Sequence, residues 1–332
     1  MTHPPTVDER RLSPRVRRLI ADAGPLVALI VLIVVFAVAN PVFVSPGNIG
    51  ILLSQAAVPL VIATGLTFVI LLGGIDLSIE GVVATSSLVF ALTVANDRND
   101  LALGLFGALL AVLAGSVFGL ANGLANVKLG IPSFMATLGL GAVGIGIATV
   151  LFAGRSPRVL DSGMRMLGQG STLGIANIFL IAVLVLVIGW FVQRFTRLGR
   201  YGYVIGGDEA VARLSGVRVG RYKIGAFVLG GTASGIAGVL LGSQLGVGMP
   251  TIGSGTMFTA ITAVVLGGTL LTGGRGGVLR SFVGVLIIVV LANGLILIGV
   301  NPYAQVAVQG LVIIAAVVAT GWRLRTRVRI IK

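Results

Sequence analysis

Few side chains in this sequence are equipped for chemistry. The 332 residues include no cysteine and one histidine. Disulfides, thiolate metal sites and cysteine nucleophiles are therefore excluded. The histidine, His3, sits in a polar tail, so a histidine triad or a multi-histidine metal centre is excluded as well, and no metal site is expected. A G-x-G-x-x-G spacing occurs at Gly139, Gly141 and Gly144. It follows no strand and lies within an apolar run, which suits helix packing and not a dinucleotide. No G-x-x-x-x-G-K-[ST] occurs, so the chain carries no P-loop of its own. What remains is Leu71–Gly81, LLGGIDLSIEG, where Asp76 and Glu80 follow Gly73 and Gly74 in an otherwise apolar ribbon. The glycine pair ends one helix, Asp76 or Ser78 is placed to N-cap the next, and Glu80 falls in its first turn, where the helix dipole favours an anion. Both acids are then expected near an aqueous end of the membrane. A broken helix at membrane depth is tolerated only against protein or a water-filled cavity, so the break is expected beside a pathway. The plainer alternative is a tight turn between two helices.

The elements that position these residues follow from composition. The chain is 56% hydrophobic and only 10% charged, with mean hydropathy +1.08. A soluble domain carries about 25% charged residues. Apolar runs of membrane-crossing length recur, and none alternates as barrel strands do. The expected fold class is all-α: a polytopic membrane protein of about ten crossings (eight to ten) with broken or re-entrant helices. The spans are 25–44, 51–72, 77–95, 101–125, 131–152, 176–193, 224–244, 257–272, 277–298 and 304–321. The third and eighth are candidates for half-helices. Fifty glycines suit close helix contact, with Gly115/Gly119/Gly123 and Gly231/Gly235 as packing faces. Residues 1–24 form a basic tail, 25–321 one membrane domain and 322–332 a second basic tail. No cleavable signal peptide is expected, because the first apolar run is too long for one.

The net charge of +14 reflects loop placement, not nucleic-acid binding. With the N-terminus inside, 20 of the 24 Lys and Arg fall on the inner side and 4 on the outer. This puts both termini in the cytoplasm. Two polar segments stand out. Residues 153–175 fall outside and are long enough for a small structure. Residues 194–223 fall inside, with seven bases and the acids Asp208 and Glu209. There Asp208 caps, Gly216 ends, and the piece Glu209–Leu214 is too short to be a stable helix without a surface to lie on. A solvated connector is the alternative. Within the crossings the polar residues are mostly hydroxyls and amides, without the row of acids or arginines that a proton relay or ion-driven carrier needs. An intramembrane enzyme is equally disfavoured.

Four stretches, in order, resemble the permease subunits of ribose-type sugar ABC importers: GGIDLSIEG, ANGLANVKLGIPSFMATLG (121–139), GRYGYVIGGDEAVARLSGVRV (199–219) and AVVLGGTLLTGGRGGVLRSFVGVLIIVVLANGLILIGV (263–300). The resemblance spans about 45–320. It implies a subunit of a bacterial cell membrane that moves a monosaccharide or related polyol by alternating access, pairing as a homodimer or with a paralogous permease. A cytoplasmic ABC ATPase would drive it and carry the ATP and Mg, so this chain would bind no cofactor. A periplasmic or lipid-anchored sugar-binding protein would deliver the solute. Carried over by position, Glu209, Ala210, Ala212, Arg213, Leu214, Ser215 and Gly216, capped by Asp208, would couple to the ATPase. Gly73, Gly74, Asp76 and Ser78, with Glu80, would shape the break beside the pathway. Asn122, Pro132, Thr137 and Asn293 also match family positions. A permease for branched-chain amino acids or nucleosides is a sibling reading, and an ATP-independent secondary carrier a reading from another class.

Overall fold

The computed structural model describes residues 14–301 with 304, 307, 308, 310 and 311, and side chains from residue 23 onward. Helix α1 (Pro14–Ala39) begins inside the expected basic tail. Proline suits the first helical turn, and arginine is a good helix former. Pro41 then restricts Asn40 to extended backbone and closes the helix. A 3₁₀ turn follows, and α2 (Pro46–Leu71) starts behind Ser45, whose hydroxyl accepts from the Asn48 N–H. The other long apolar helices are α4 (Leu105–Lys128), α5 (Ser133–Phe152), α7 (Asn177–Phe195), α10 (Val219–Leu245) and α12 (Val278–Leu297), with the shorter α3 (Ile79–Thr93) and α11 (Thr256–Leu266) between them. Short elements connect them: α6 (Ser162–Gln169), α8 (Arg197–Gly207) and α9 (Glu209–Leu214).

Six described helices, α2, α4, α5, α7, α10 and α12, are long and apolar enough to cross a membrane. The ten expected crossings are therefore not all realised as full spans. The third and eighth become α3, of 15 residues, and α11, of 11, both too short for about 30 Å of hydrocarbon. The expected crossing 304–321 lies mostly outside the described residues.

Helices α2 and α10 are the buried centre. Glycine lets their neighbours approach. Gly115 and Gly119 of α4 meet Gly231 of α10 backbone to backbone, and a Cβ on either would strike a main-chain atom of α10. On α5, Gly141 and Gly144 receive Gly81 of α3, so two of the three glycines of the G-x-G-x-x-G spacing serve packing. The opposite face of α4 shows Leu105, Leu109, Leu113 and Val117, spaced four apart and all more than half exposed. An outward apolar stripe of this kind is stable only against lipid or another apolar surface.

The polar segment 153–175 folds as α6 plus a two-residue antiparallel pair, β1 (Ser171–Thr172) with β2 (Ile175–Ala176). It is tied to the loop after α3 by an Asn96–Val159 bridge and a 2.6 Å Arg155–Asp97 ion pair. Segments 194–218 and 267–277 occupy the other end of the bundle.

Candidate functional site

The interruption between α2 and α3 is real, and it is deeply buried. Leu71 ends α2, and Gly73 turns the chain at φ +75, where glycine carries no Cβ penalty. The Gly73 and Gly74 N–H groups donate back to Ile70 and Val69. Residues 74–78 then run without regular structure. Their backbone donors, which no helix satisfies, are met from α5: Ile75 N–H by the Ser133 hydroxyl at 3.1 Å and Leu77 N–H by the Thr137 hydroxyl at 3.0 Å. Asp76 Oδ1 accepts from the Ser78 N–H at 2.9 Å and the Ser78 hydroxyl at 2.6 Å. The Asn122 amide of α4 donates to that hydroxyl at 2.8 Å. Asn122 Oδ1 has no partner among the described residues.

Asp76 is only 2% exposed and faces Gly230, eleven residues into α10, so it stands well inside the bundle. The expectation of an aqueous end is corrected for this residue. Its buried carboxylate is met by the N–H and hydroxyl of Ser78. Ser78 is the residue before the helix, but no side chain caps the first turn of α3; Asp76 instead holds the Ser78 N–H in a turn just ahead of it. Glu80 does lie in the first turn, where its Oε1 accepts from the Gly255 N–H at 2.9 Å.

The elbow of 194–223 forms two helices. Asp208 leaves α8 in extended backbone and accepts from the Val211 N–H at 3.0 Å, capping α9. Gly216, at φ +78, closes it, with Gly216 and Val217 N–H donating to Arg213 and Ala212. The six-residue α9 lies on α10 through Glu209, whose carboxylate takes Arg213 and Lys223 at 2.6 Å each. Partial burial pushes the Glu209 carboxyl upward, but the hydrogen bonds and charges of Lys223 and Arg213 outweigh it, leaving it below the ordinary glutamate range. Ala212 is fully buried and seats α9 on the protein, so it does not belong to the outward surface. That surface is apolar at its tip, with Leu214 89% and Val211 54% exposed, and is flanked by exposed Arg213 and Arg218.

Elbow and break are joined by two routes. In the first, α8 packs on the end of α2 so closely that a Cβ on Gly206 would strike the Leu71 carbonyl. That carbonyl accepts from the Gly274 N–H at 3.0 Å. The glycine-rich segment 267–277 is clamped in turn by Gln193 of α7. Gln193 accepts from the Val278 N–H at 2.8 Å and donates to the Tyr203 hydroxyl, which donates to the Gly276 carbonyl at 2.9 Å. The second route is the Glu209–Lys223 pair. Lys223, Ala226 and Phe227 of α10 line a cavity of about 110 Å³ whose other wall includes Gly73 and Gly74.

The structure thus brings together Gly73, Gly74, Asp76, Ser78, Asn122 and Thr137. Glu80 stands apart on the α11 side. Asn293 lies elsewhere: it exchanges amide hydrogen bonds at 3.0 Å with Asn48 at the start of α2. Sequence reasoning did not single out Ser133, Gln193, Tyr203 or Lys223. Each is an ordinary polar residue near a helix end, and no local pattern marks it.

The chain is thus a polytopic α-helical membrane protein with a buried helix break and a protruding, glutamate-anchored short helix. The chain matches the family described as the permease component of the branched-chain amino acid transport system over residues 48–317, and it belongs to that family. It is 40% identical to the ribose import permease protein RbsC of Bacillus subtilis over 89% of this chain and 91% of that protein. It is 37% identical to RbsC of Escherichia coli K12 over 88% and 91%. It is 34% identical to the L-arabinose ABC transporter permease protein AraH of Azospirillum brasilense over 93% and 90%. No solved structure matches the chain.

Proposed function

We propose that this chain is the translocation subunit of an ABC importer for a monosaccharide of the ribose or arabinose kind. The observation that carries this reading is the identity of 34–40% to ribose and arabinose permeases across nearly the whole chain. Family membership sets aside the secondary carrier, and the sugar relatives favour sugar over the branched-chain amino acid or nucleoside sibling. The subunit sits in the bacterial inner membrane with both termini cytoplasmic, as the placement of Lys and Arg supports. It works with a second permease copy or a paralogue, a cytoplasmic ATPase that holds ATP and Mg, and a sugar-binding protein on the outer side.

In this reading the ATPase grips the surface of α9 presented by Ala210, Val211, Arg213, Leu214 and Ser215, between the cap Asp208 and the turn Gly216. The joint exposure of Leu214 and Val211 at the tip supports a partner there, because adjoining exposed apolar side chains mark an interaction surface. Movement of α9 passes through Glu209–Lys223 to α10 and through α8 to the Leu71 carbonyl of α2. Both routes end on the walls of the cavity beside Gly73 and Gly74. The break is where two stiff bodies meet, so a shift there is a rigid-body rocking of membrane halves and not a deformation of either.

The test is reconstitution of the chain with its ATPase and binding protein in vesicles. ATP-dependent accumulation of labelled ribose or arabinose is expected. Accumulation at the same rate without the ATPase refutes the proposal.

A further inference from the structure

The chain from Gly246 to Gly255 is not helical, yet it does not stay at an end of the bundle. It leaves α10 where Val247 bridges to Arg158. It then passes Leu88, whose Cα lies 3.1 Å from a Cβ built on Gly248, and reaches the first turn of α3, where the Glu80 carbonyl lies 2.9 Å from a Cβ built on Gly253. The segment therefore descends alongside α3 by roughly 12 Å, at about 1.5 Å per helical residue. At the bottom, the Gly255 N–H meets Glu80 and α11 begins. Helix α11 then runs on to the opposite end, where Gly267 abuts the Arg280 carbonyl. The junction of Glu80 with Gly255 thus lies between the two ends, at the height where the outer face of α4 is purely apolar. Here the surface instead mixes polar groups with Phe258, which is 64% exposed. Thr251, Ser254 and Gly255 are exposed, and Glu80, Thr256 and Thr259 are partly so.

Exposed non-helical chain at membrane depth is tolerated only where it lines a water-filled cavity or is covered by protein. A carboxylate reaching the surface at that depth is costly against lipid for the same reason. We propose that this face, Glu80 with Thr251, Ser254, Thr256 and Thr259, is the wall of the pathway that the passing sugar touches. Hydroxyls both donate and accept, and a carboxylate accepts from two directions, which suits a neutral polyol presenting hydroxyls at every angle. The buried group around Asp76 then braces this wall from behind and touches no solute. The inference rests on the sugar-importer reading, and the experiment separates the two.

The chain has no native cysteine, so single introduced thiols report cleanly. Ser254→Cys and Thr259→Cys, in the assembled importer, are treated with a charged, water-soluble methanethiosulfonate reagent. Val117→Cys, on the apolar outer face of α4, is the control. Both test positions are expected to react at least tenfold faster than the control, and ribose supplied with binding protein and ATP is expected to slow them severalfold. If they react no faster than the control while the importer still accumulates sugar, the wall is elsewhere and the importer reading stands. If they react fast and a branched-chain amino acid protects them where no sugar does, sugar recognition at this wall is overturned together with the sugar reading.

Discussion

Asp76 and Asp208 make an instructive pair. Each closely follows two glycines, and each carboxylate accepts from a backbone N–H just ahead, Ser78 at 2.9 Å and Val211 at 3.0 Å. The local device is nearly the same, and the consequences differ because the surroundings differ. Asp76 is 2% exposed, and its partner Ser78 is bound in turn by Asn122, so one carboxylate organises the joint of α2, α3 and α4. Asp208 is exposed, and it starts a helix whose hold on the protein depends on Glu209 and Ala212. Local chemistry decides that a helix starts. Burial decides whether the start is an anchor or a handle.

The sharpest way to break this comparison is to remove both carboxylates. Asp76→Ala leaves the Ser78 N–H and hydroxyl buried without an acceptor, which costs on the order of 3 kcal/mol. Asp208→Ala loses one exposed cap, worth about 1 kcal/mol. Unfolding midpoints of the two variants in the same detergent measure the gap, and equal losses would mean that burial is not what distinguishes the two sites. The glycines allow a second contrast. Gly206→Ala drives a methyl into the Leu71 carbonyl and is expected to destabilise by about 2 kcal/mol. Gly207→Ala meets nothing within 4 Å and is expected to be neutral or slightly stabilising. The same melting assay checks both.

Leu214→Asp sharpens the handle side. At 89% exposure it is expected to leave the melting point within about 0.5 kcal/mol of wild type while removing the ATPase from the co-purified complex. Retention of the ATPase at wild-type stoichiometry counts against α9 as its grip. The smallest effect is with pH. Glu209 titrates below the ordinary glutamate value of about 4.3 when folded, so its hold on Lys223 and Arg213 is complete above that value and is lost only as pH falls through the lowered one. The pair is partly solvent-screened and is worth less than about 1 kcal/mol. A spin label on Ser215→Cys is expected to gain mobility in that acid range, and to be mobile at every pH once Glu209→Gln is added. A label whose mobility ignores both changes would show that the ion pair does not hold α9.

Much of this was readable from the chain alone. The apolar runs, the helix break at Gly73-Gly74, the cap at Asp208 and the stop at Gly216 are consequences of residue type and spacing over a few positions, because capping and breaking are local events. The glycine rows at 115/119 and 231 also announced themselves as packing faces, since small residues have few other uses inside an apolar helix. The partners did not announce themselves. Ser78, the partner of Asp76, takes Asn122 from 44 residues later, and Glu80 takes Gly255 from 175 residues later. The shortness of the third and eighth segments was legible as half-helices, but not that Ala212 turns inward or that Asn293 pairs with Asn48 away from the break. The physical reason is that a membrane helix is as apolar toward lipid as toward its neighbours. Hydropathy therefore tells how long a segment runs within the membrane but not which way it faces, and that rotation, with every pairing that follows from it, was decided only by the packing of the helices against one another.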